Sequence, residues 1–424
     1  MARLFGTDGV RGVVNEFLTP ELAYHLGRAA GTHFGKKKDH PTFLIGRDTR
    51  ISGSMLESAL AAGICSVGGN VVIAGVIPTP AVAYLVRQQG FDAGAVISAS
   101  HNPYPDNGIK FFDGNGYKLP DEVEDELEKY VRQSADNELA RPTGDGIGKI
   151  EFNSNLAHLY AHFVRHTIDT SLEGLTIVYD GANGAASSVG PEILSGLGAK
   201  VININVNPDG LNINHHCGST HIEGLQVAVQ QHNADLGIAN DLKLKEEGKL
   251  KGDTIVGTVM SNIGFHKAAE ELGMKTVSTA VGDRYVLEYM REHNLSVGGE
   301  QSGHVIFLDH NTTGDGMLTA VQVAALMKEK KQPLSELAGI MTKYPQVLVN
   351  VRVATKTGWE DNDLIKAAIV TAEGELSDEG RVLVRASGTE PLIRVMAEGP
   401  NQEELQSLCQ EIADIIGREQ GLAE

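Results

Sequence analysis

The sequence predicts an α/β protein with three α/β modules, each built on a mixed sheet, and a smaller C-terminal α+β domain. Apolar runs of strand length alternate with helix-like stretches in three separate parts of the chain, the pattern of repeated βαβ units. After residue 347 the pattern changes to strands grouped with two amphipathic helices, which is typical of an α+β domain. A length of 424 residues also exceeds what one core usually organises.

The first module is clearest between residues 43 and 100. Three apolar runs, "FLIGRD", "NVVIAGV" and "AGAVISAS", alternate with the helix-like stretches "GSMLESALAAGICSVG" and "PAVAYLVRQQG". This order predicts a βαβαβ unit whose strands run parallel. The polar stretch "RQSADNELARPTGDGIG" that follows is typical of a linker and closes the module.

The same alternation returns twice. "LTIVYD" and "AKVININV" flank a helix-like stretch in the second module, and "DTIVGTVM" and "MKTVSTAV" flank one in the third. The last part reads as the strands "YPQVLVNVRV", "GRVLVRAS" and "PLIRVMAEGP" with two amphipathic helices. We therefore expect α/β domains at 1–152, 153–252 and 253–347 and an α+β domain at 348–424.

The charge balance argues against nucleic-acid and membrane partners. The formal net charge is −19, from 55 acidic and 36 basic residues, whereas both partners demand a positive footprint. An anionic substrate must then be held by local arginines and backbone amides.

Cysteine usage and the N-terminus predict a cytoplasmic protein. The three cysteines, Cys65, Cys217 and Cys409, are odd in number and far apart, as expected in a reducing compartment. The opening "MARLFGTDGVRG" has no apolar signal region, and no run is long enough to span a membrane.

The segment "AGAVISASHNPYPDNGIKFF" brings a serine to the end of a strand. Small and polar residues at the carboxyl end of a parallel strand lie where open α/β sheets bind ligands. Ser100 in that position can act as a nucleophile or phosphoryl carrier. The alternative is a helix cap or an Asx-type turn, which the same residue types favour.

Two further loops combine ligand-binding residue types. In "VLVRASGTEPLIRV" hydroxyls and a glycine lie between Arg385 and Arg394, a composition that suits a phosphate dianion better than a plain polar hairpin. In "VGGEQSGHVIFLDHNTTGDG" Glu300, Ser302 and His304 lie on a glycine-flanked loop, which suits sugar hydroxyls.

Two other patterns are weaker. "HHCGSTH" contains His215, His216, Cys217 and His221, but the spacing fits no standard zinc pattern. "GANGA" follows a strand yet lacks the order of a dinucleotide loop, so we interpret it as a tight turn and disfavour a dinucleotide-binding oxidoreductase.

Taken together, these segments resemble the phosphohexomutase superfamily. The motifs that carry the resemblance, in this order along nearly the whole chain, are "FGTDGVRG", "GRDTR", "SASHNP", "GEQSGH" and "RASGTEP". That superfamily has four domains around a central cleft, and the same arrangement is implied here.

The resemblance implies an intramolecular phosphotransferase that interconverts glucosamine 6-phosphate and glucosamine 1-phosphate, on the route to UDP-N-acetylglucosamine and peptidoglycan precursors. Ser100 is implied to be a phosphoserine, which passes its phosphoryl group to the substrate through a sugar bisphosphate such as glucosamine 1,6-bisphosphate. The residues implied in catalysis are Ser100, His101, Lys110, Arg11 and His304. The residues implied in substrate binding are Glu300, Ser302, Arg385, Ser387, Gly388, Thr389 and Arg394.

The superfamily also has a metal loop, Asp-Gly-Asp-X-Asp-Arg, which binds Mg²⁺ together with the phosphoserine. Here Ser100 and Asp241 are the implied metal ligands, and after Asp241 the chain passes directly into "LKLKEEGKLKGDTIV". The rest of the loop, the hairpin that follows it and the start of the next helix are absent. Loss of two of three carboxylates predicts weak Mg²⁺ binding and slow turnover.

Several alternatives remain open at this level. A non-catalytic phosphosugar-binding protein would retain the sugar and phosphate loops without the metal site. The sequence does not distinguish a natural deletion from an artefact of the gene sequence, nor a monomer from a homodimer. It also leaves open whether Ser100 is phosphorylated and whether the substrate is the amino sugar or another hexose phosphate.

Overall fold

A computed structural model describes residues 3–6, 9–135, 138–238, 250–387 and 390–421. The chain forms two compact units. The first contains Met1–Gly252 and Thr279–Leu334, and the second contains Asp253–Ser278 and Ser335–Glu424. Each unit is described by itself below.

The described residues form 13 α-helices and 16 β-strands. The helices are α1 Pro20–Gly35, α2 Gly53–Cys65, α3 Thr79–Gln89, α4 Asp121–Ala135, α5 Leu156–Arg165, α6 Val189–Gly196, α7 Glu223–Gln231, α8 Ile263–Glu271, α9 Asp283–Glu292, α10 Gly316–Lys330, α11 Leu334–Ala338, α12 Asp363–Leu376 and α13 Gln402–Gln420. The strands are β1 Val10–Val13, β2 Thr42–Arg47, β3 Asn70–Val76, β4 Ala93–Ile97, β5 Asp106–Asp113, β6 Ile150–Phe152, β7 Thr176–Asp180, β8 Lys200–Ile204, β9 Leu236–Ile238, β10 Thr254–Thr258, β11 Lys275–Thr279, β12 Val297–Gly299, β13 Val305–Phe307, β14 Gln346–Arg352, β15 Arg381–Ala386 and β16 Leu392–Glu398. In the part of the chain described here, no helix is both long and apolar enough to cross a membrane.

The first sheet is mixed, in the order β1-β5-β4-β2-β3-β6. The βαβαβ unit expected from the sequence forms its parallel centre, where β2 pairs with both β3 and β4. β1 and β5, which the apolar pattern did not identify as strands, add an antiparallel edge beside β4. Because β5 returns directly from the end of β4, the loop between them is held at both ends.

Helices α1 and α2 pack closely on one another. Thr19 caps α1 by accepting a hydrogen bond from the Leu22 amide, and Pro20 begins the helix with the required backbone angle. A Cβ at Gly27 would lie 2.2 Å from the Leu60 carbonyl oxygen, and one at Gly63 would lie 2.1 Å from that of Tyr24. The two glycines therefore permit this approach of the helices.

The stretch predicted as a linker is packed against the first module. The buried Arg28 guanidinium donates to the carbonyls of Leu139 and Ala140, at 2.9 and 3.1 Å. The chain then adds β6 to the first sheet beside β3. The predicted linker is therefore packed in this part, which polar composition does not reveal because it carries no sign that backbone carbonyls are bound.

The second module has a three-stranded parallel sheet in the order β8-β7-β9. Val178 at its centre packs against Leu225 and Ala228 of α7. Ile238, the last residue of β9, lies beside Tyr179 of β7. The carboxyl ends of β7 and β9 therefore lie at the same edge of this sheet.

The remaining part of the first unit contains α9, the antiparallel pair β12 and β13, and α10. The carboxylate of Asp315 caps α10 through the Leu318 amide and accepts a hydrogen bond from the Tyr160 hydroxyl of α5. Burial raises the pKa of Asp315, and this network of donors stabilises the carboxylate.

In the second unit, β10 and β11 are neighbours in one sheet, and the C-terminal domain has the antiparallel order β14-β16-β15. Helices α12 and α13 cover this second sheet, with Ile365, Leu405 and Ile412 in the core. Asn362 and Asn401 cap the two helices. The α+β domain expected from the sequence is confirmed.

Candidate functional site

Ser100 lies in the loop between β4 and β5, close to the carboxyl end of β4. Its side chain is exposed, and its backbone adopts a left-handed conformation with φ of +54°. The Ser98 hydroxyl accepts a hydrogen bond from the Ser100 amide at 3.1 Å. Ser98 therefore makes the local turn, and the helix-cap alternative for Ser100 fails because the next element is a strand.

The side chain of Arg50, from "GRDTR", binds the backbone of this loop. Its guanidinium donates to the carbonyl of Ser100 at 2.9 Å, to that of Asn102 at 2.8 Å and also to that of Pro103. Asp48 binds the Arg50 Nε at 2.9 Å and the Arg50 backbone amide at 3.0 Å. Both side chains are almost completely buried, so the pair is fixed and its hydrogen bonds are shielded from water.

Asn214 reaches the same loop from the second module. Its side-chain amide donates to the carbonyls of Ser100 at 2.9 Å and Asn102 at 3.2 Å. Asn214 is held in turn by the "GANGA" turn, since its backbone amide donates to the Ala182 carbonyl. "GANGA" is a tight turn, as predicted, with Ala182 and Asn183 both left-handed. Sequence reasoning missed Asn214, because no local pattern marks an asparagine that binds a distant loop.

Arg11 and Lys110 lie on neighbouring strands beside this loop. Arg11 of β1 pairs with Gly108 of β5, and Gly108 also accepts the Ser98 amide. Lys110 pairs with Val96 of β4, two residues further along β5. Because side chains alternate along a strand, Arg11 and Lys110 point to the same face of the sheet. His101, next to Ser100, is exposed.

Glu300, Ser302 and His304 come together on the loop between β12 and β13. The His304 Nδ1 lies 3.4 Å from a Glu300 carboxylate oxygen and 3.2 Å from the Ser302 hydroxyl. The other Glu300 oxygen accepts the Gly282 amide at 2.8 Å. The sequence predicted this group correctly as a cluster of polar side chains on one loop.

The surroundings of His304 favour its protonated form. The hydrogen bond to Glu300 raises the pKa of His304 most; burial opposes this, and the charge of Asp283 adds to the increase. Lys118 lowers the pKa slightly, and it forms an ion pair with Asp283 at 2.7 Å. His304 can thus act as a proton donor or as a positive charge near a phosphate.

Glu300→Gln is expected to lower the pKa of His304 towards its ordinary value of about 6.5, since the carboxylate is the main cause of the increase. A raised folded-state pKa stabilises the fold below the unfolded-state pKa, and this contribution is lost as the pH rises through the folded-state pKa. The variant should lose that pH dependence. NMR titration of the imidazole protons measures the pKa directly. Glu288→Gln, on the exposed face of α9, is the control and should leave it unchanged.

The second unit carries the predicted phosphate loop. Arg385 of β15 and Arg394 of β16 face each other across the antiparallel pair. Burial, followed by the charge of Arg394, lowers the pKa of Arg385. The buried Arg394 Nε has no hydrogen-bond acceptor among the residues described. Arg394 also forms an ion pair with Glu390 at 3.2 Å. Because like charges that face each other are destabilising, two arginines with this one carboxylate suit a bound anion.

The rest of that loop is partly described. The buried Ser387 donates its amide to the Leu392 carbonyl, and its own carbonyl accepts from the Lys356 ammonium group at 2.9 Å. Gly388 and Thr389, also predicted to bind the phosphate, lie outside the described residues. The two arginines lie on β15 and β16, the antiparallel strands that this loop connects.

Inorganic phosphate should raise the melting temperature of the wild-type chain, because an anion that binds only the folded state stabilises it. The expected gain is about 1.4 kcal/mol at ten times the Kd. Arg385→Met should lose most of this gain. Arg352→Met removes an exposed arginine from β14 of the same sheet and should keep it. If phosphate raised the melting temperature equally in both variants at matched ionic strength, the assignment of Arg385 to a phosphate site would be contradicted.

The residues described do not fit a Mg²⁺ site. Asp241, the implied ligand, lies outside them, and the sequence lacks the two further aspartates of the superfamily loop. Asp48 is bound to Arg50, and Asp180 accepts hydrogen bonds from Ala182, Asn205 and Gly218. Within the described ranges no group of three His, Cys, Asp or Glu side chains is arranged to hold a metal, and this includes the histidines near Cys217.

Comparison with known proteins gives a consistent family. Profiles of the phosphoglucomutase/phosphomannomutase domains match in order: domain I at residues 2–138, domain II at 156–242, domain III at 236–344 and the C-terminal domain at 348–415. The solved structure of a phosphoglucomutase/phosphomannomutase family protein from Burkholderia thailandensis matches with a TM-score of 0.79 at 22% identity, covering 98% of this chain and 97% of that one.

Curated relatives match over the full length. A phosphoglucosamine mutase from Desulforamulus reducens is 52% identical, covering 98% of this chain and all of the relative. One from Bacillus subtilis is 48% identical over 448 aligned positions that cover both chains completely. Since this chain has 424 residues, about 24 of those positions are gaps in it. With half of its residues shared along its whole length, the chain belongs to the phosphoglucomutase/phosphomannomutase family and, within it, groups with the phosphoglucosamine mutases.

Proposed function

We propose that the chain interconverts glucosamine 6-phosphate and glucosamine 1-phosphate through a phosphorylated Ser100. The observation that carries the proposal is the exposure of Ser100. This residue lies close to the carboxyl end of β4, in a loop whose backbone carbonyls accept hydrogen bonds from Arg50. The relatives at about 50% identity are phosphoglucosamine mutases, and the proposed substrate is inferred from theirs. The three cysteines are buried thiols, which agrees with the cytoplasmic location that the proposal includes.

The proposed reaction has two phosphoryl transfers. In the first, the phosphoryl group leaves Ser100 Oγ for the free hydroxyl of the substrate, and the proton of that hydroxyl ends on Ser100 Oγ, the leaving oxygen. This produces glucosamine 1,6-bisphosphate. In the second, Ser100 takes the other phosphoryl group from the reoriented bisphosphate. Arg11 and Lys110 supply positive charge on the face of the sheet beside Ser100, as phosphoryl transfer requires.

Substrate binding is assigned to two loops in this proposal. Glu300 and Ser302 accept and donate hydrogen bonds to sugar hydroxyls, and His304 supplies a positive charge or a proton. Arg385, Ser387 and Arg394, with Gly388 and Thr389, hold the phosphate that does not react. In either orientation of the substrate the phosphate that does not react is a dianion, so the same loop can bind it.

In this proposal turnover is slow, and neither phosphoryl transfer uses a metal ion. In the superfamily Mg²⁺ supplies charge neutralisation at the phosphoserine, but the donor set here does not fit it. Domain profiles II and III overlap at 236–242, which supports a gap at this point of the chain. Lys243 and Lys245 follow the gap, and a lysine cannot bind two phosphate oxygens with octahedral geometry.

Conversion of glucosamine 6-phosphate to glucosamine 1-phosphate, with Mg²⁺ and a sugar bisphosphate, tests the proposal. We expect measurable conversion by the wild-type chain and none by Ser100→Ala, because only the hydroxyl can carry the phosphoryl group. If a folded wild-type sample is no faster than Ser100→Ala, the mutase proposal fails. Binding of glucosamine 6-phosphate in that sample would then identify a phosphosugar-binding protein.

A further inference from the structure

We infer that Asn214 is a positioning residue for Ser100: through this side chain the second module contributes, together with Arg50, to the orientation of the nucleophile loop. The inference rests on the proposed function and extends it to a residue outside the five motifs. It depends on three observations, namely the strained backbone of Ser100, the donors that hold it, and the rigid support behind Asn214.

The backbone of Ser100 does not maintain its conformation by itself. A left-handed φ of +54° costs roughly 1–2 kcal/mol for a residue with a Cβ. Such a conformation persists when neighbouring groups fix it. The Ser100 carbonyl accepts two side-chain hydrogen bonds at 2.9 Å, one from Arg50 and one from Asn214. With its carbonyl bound inward, the residue presents its hydroxyl outward.

The direction of the Asn214 amide follows from its neighbours. The acceptors at 2.9 and 3.2 Å are both carbonyl oxygens, which cannot donate, so the side-chain nitrogen must face them. One amide group therefore holds the Ser100 and Asn102 carbonyls at a fixed separation. Arg50 binds the same two carbonyls, so the two side chains act as a pair.

The support behind Asn214 is rigid and belongs to the second module. Its backbone amide is bound by the Ala182 carbonyl, and Asp180 holds the same turn through the Ala182 amide at 2.8 Å and the Gly218 amide at 3.0 Å. Thr49, next to Arg50, donates its hydroxyl to the Asn183 carbonyl. The turn after β7 is thus bound both to Asn214 and to the segment that carries Arg50.

Positioning of this kind affects phosphoryl transfer strongly. The attacking and leaving oxygens must be in line, and a misplacement of about 1 Å can slow a reaction by about a hundredfold. Asn214 therefore contributes to the orientation of Ser100 and leaves the sugar and phosphate loops unchanged.

The test separates transfer from binding. Glucose 1,6-bisphosphate is added to the dephosphorylated chain, and phosphorylation of Ser100 is followed by intact mass. In this step a sugar phosphate ester bond breaks, a bond to Ser100 Oγ forms, and the hydroxyl proton passes to the released sugar oxygen. Binding of glucosamine 6-phosphate is measured separately by calorimetry.

Asn214→Ala and Asn214→Asp should slow the phosphorylation about 10- to 100-fold while the Kd for glucosamine 6-phosphate stays within about twofold. The aspartate variant keeps the shape of the side chain and removes the donor. Asn212→Ala is the control, because among the residues described that side chain forms hydrogen bonds within residues 207–212 of the same loop. Phosphorylation of Asn214→Ala at the wild-type rate, or an equal loss in Asn212→Ala, would overturn the inference.

A second measurement decides the case in which the wild-type chain is not phosphorylated at all, which would refute the proposed function. Hydrogen exchange reports the amides of Asn102 and Asp106, which are bound within the loop by the Ala99 and Pro103 carbonyls. Faster exchange in Asn214→Ala than in Asn212→Ala supports the positioning role. Equal exchange in both variants excludes it.

Discussion

Insertion of the missing segment after Asp241 should raise the rate of glucosamine 6-phosphate conversion about a thousandfold. The segment is taken from the Bacillus subtilis relative, whose alignment with this chain contains about 24 gap positions in this chain. A metal at a phosphoryl transfer site supplies several kcal/mol of transition-state stabilisation, and about 1.4 kcal/mol corresponds to a tenfold change in rate. The inserted chain should also require Mg²⁺, whereas the present chain should respond little to EDTA.

A Gly/Ser insertion of equal length is the matched control for this experiment. It restores the spacing between β9 and β10 without adding carboxylates, so it tests whether a tight connection limits the present chain. We expect it to leave the rate within a few-fold of the starting value. If the Gly/Ser chain gained as much as the chain with the natural segment, spacing and not metal binding would explain slow turnover.

The repeated alternation of apolar runs and helix-like stretches was sufficient to predict the α/β modules. It did not identify β1 and β5 of the first sheet. The strands of "FLIGRD" and "NVVIAGV" are long, apolar and bounded by helices, which is why their prediction was correct. β1 has four residues, among them Arg11 and Gly12, and it is a strand because β5 lies beside it. Pairing partners of this kind come from tertiary contacts and not from a residue's own pattern.

The sequence could group candidate residues where they share one loop. Glu300, Ser302 and His304 lie within five positions, so composition alone indicated the group. Asn214 is separated from Ser100 by 114 positions, and its role depends on a turn in another module. No single-sequence argument could connect them, because the asparagine itself looks like any other residue of a polar loop.

The buried pair Asp48 and Arg50 leads to the second large effect. Arg50→Met should lower the free energy of unfolding by about 3–5 kcal/mol, since it leaves the Asp48 carboxylate buried without its partner. It also removes the donors to three carbonyls of the Ser100 loop. Urea unfolding measures the loss, and phosphorylation of Ser100 measures its effect on the loop.

Lys36→Met is the control for this prediction, because Lys36 forms an exposed ion pair with Glu126 and its loss should change the free energy of unfolding little. The double variant Asp48→Asn with Arg50→Met should recover part of the lost stability, since no unpaired charge remains buried. It should not recover the reactivity of Ser100, because the three carbonyls still lack their donor. Recovery of both would mean that the charge of Asp48, and not the hold of Arg50 on the loop, sets the position of Ser100.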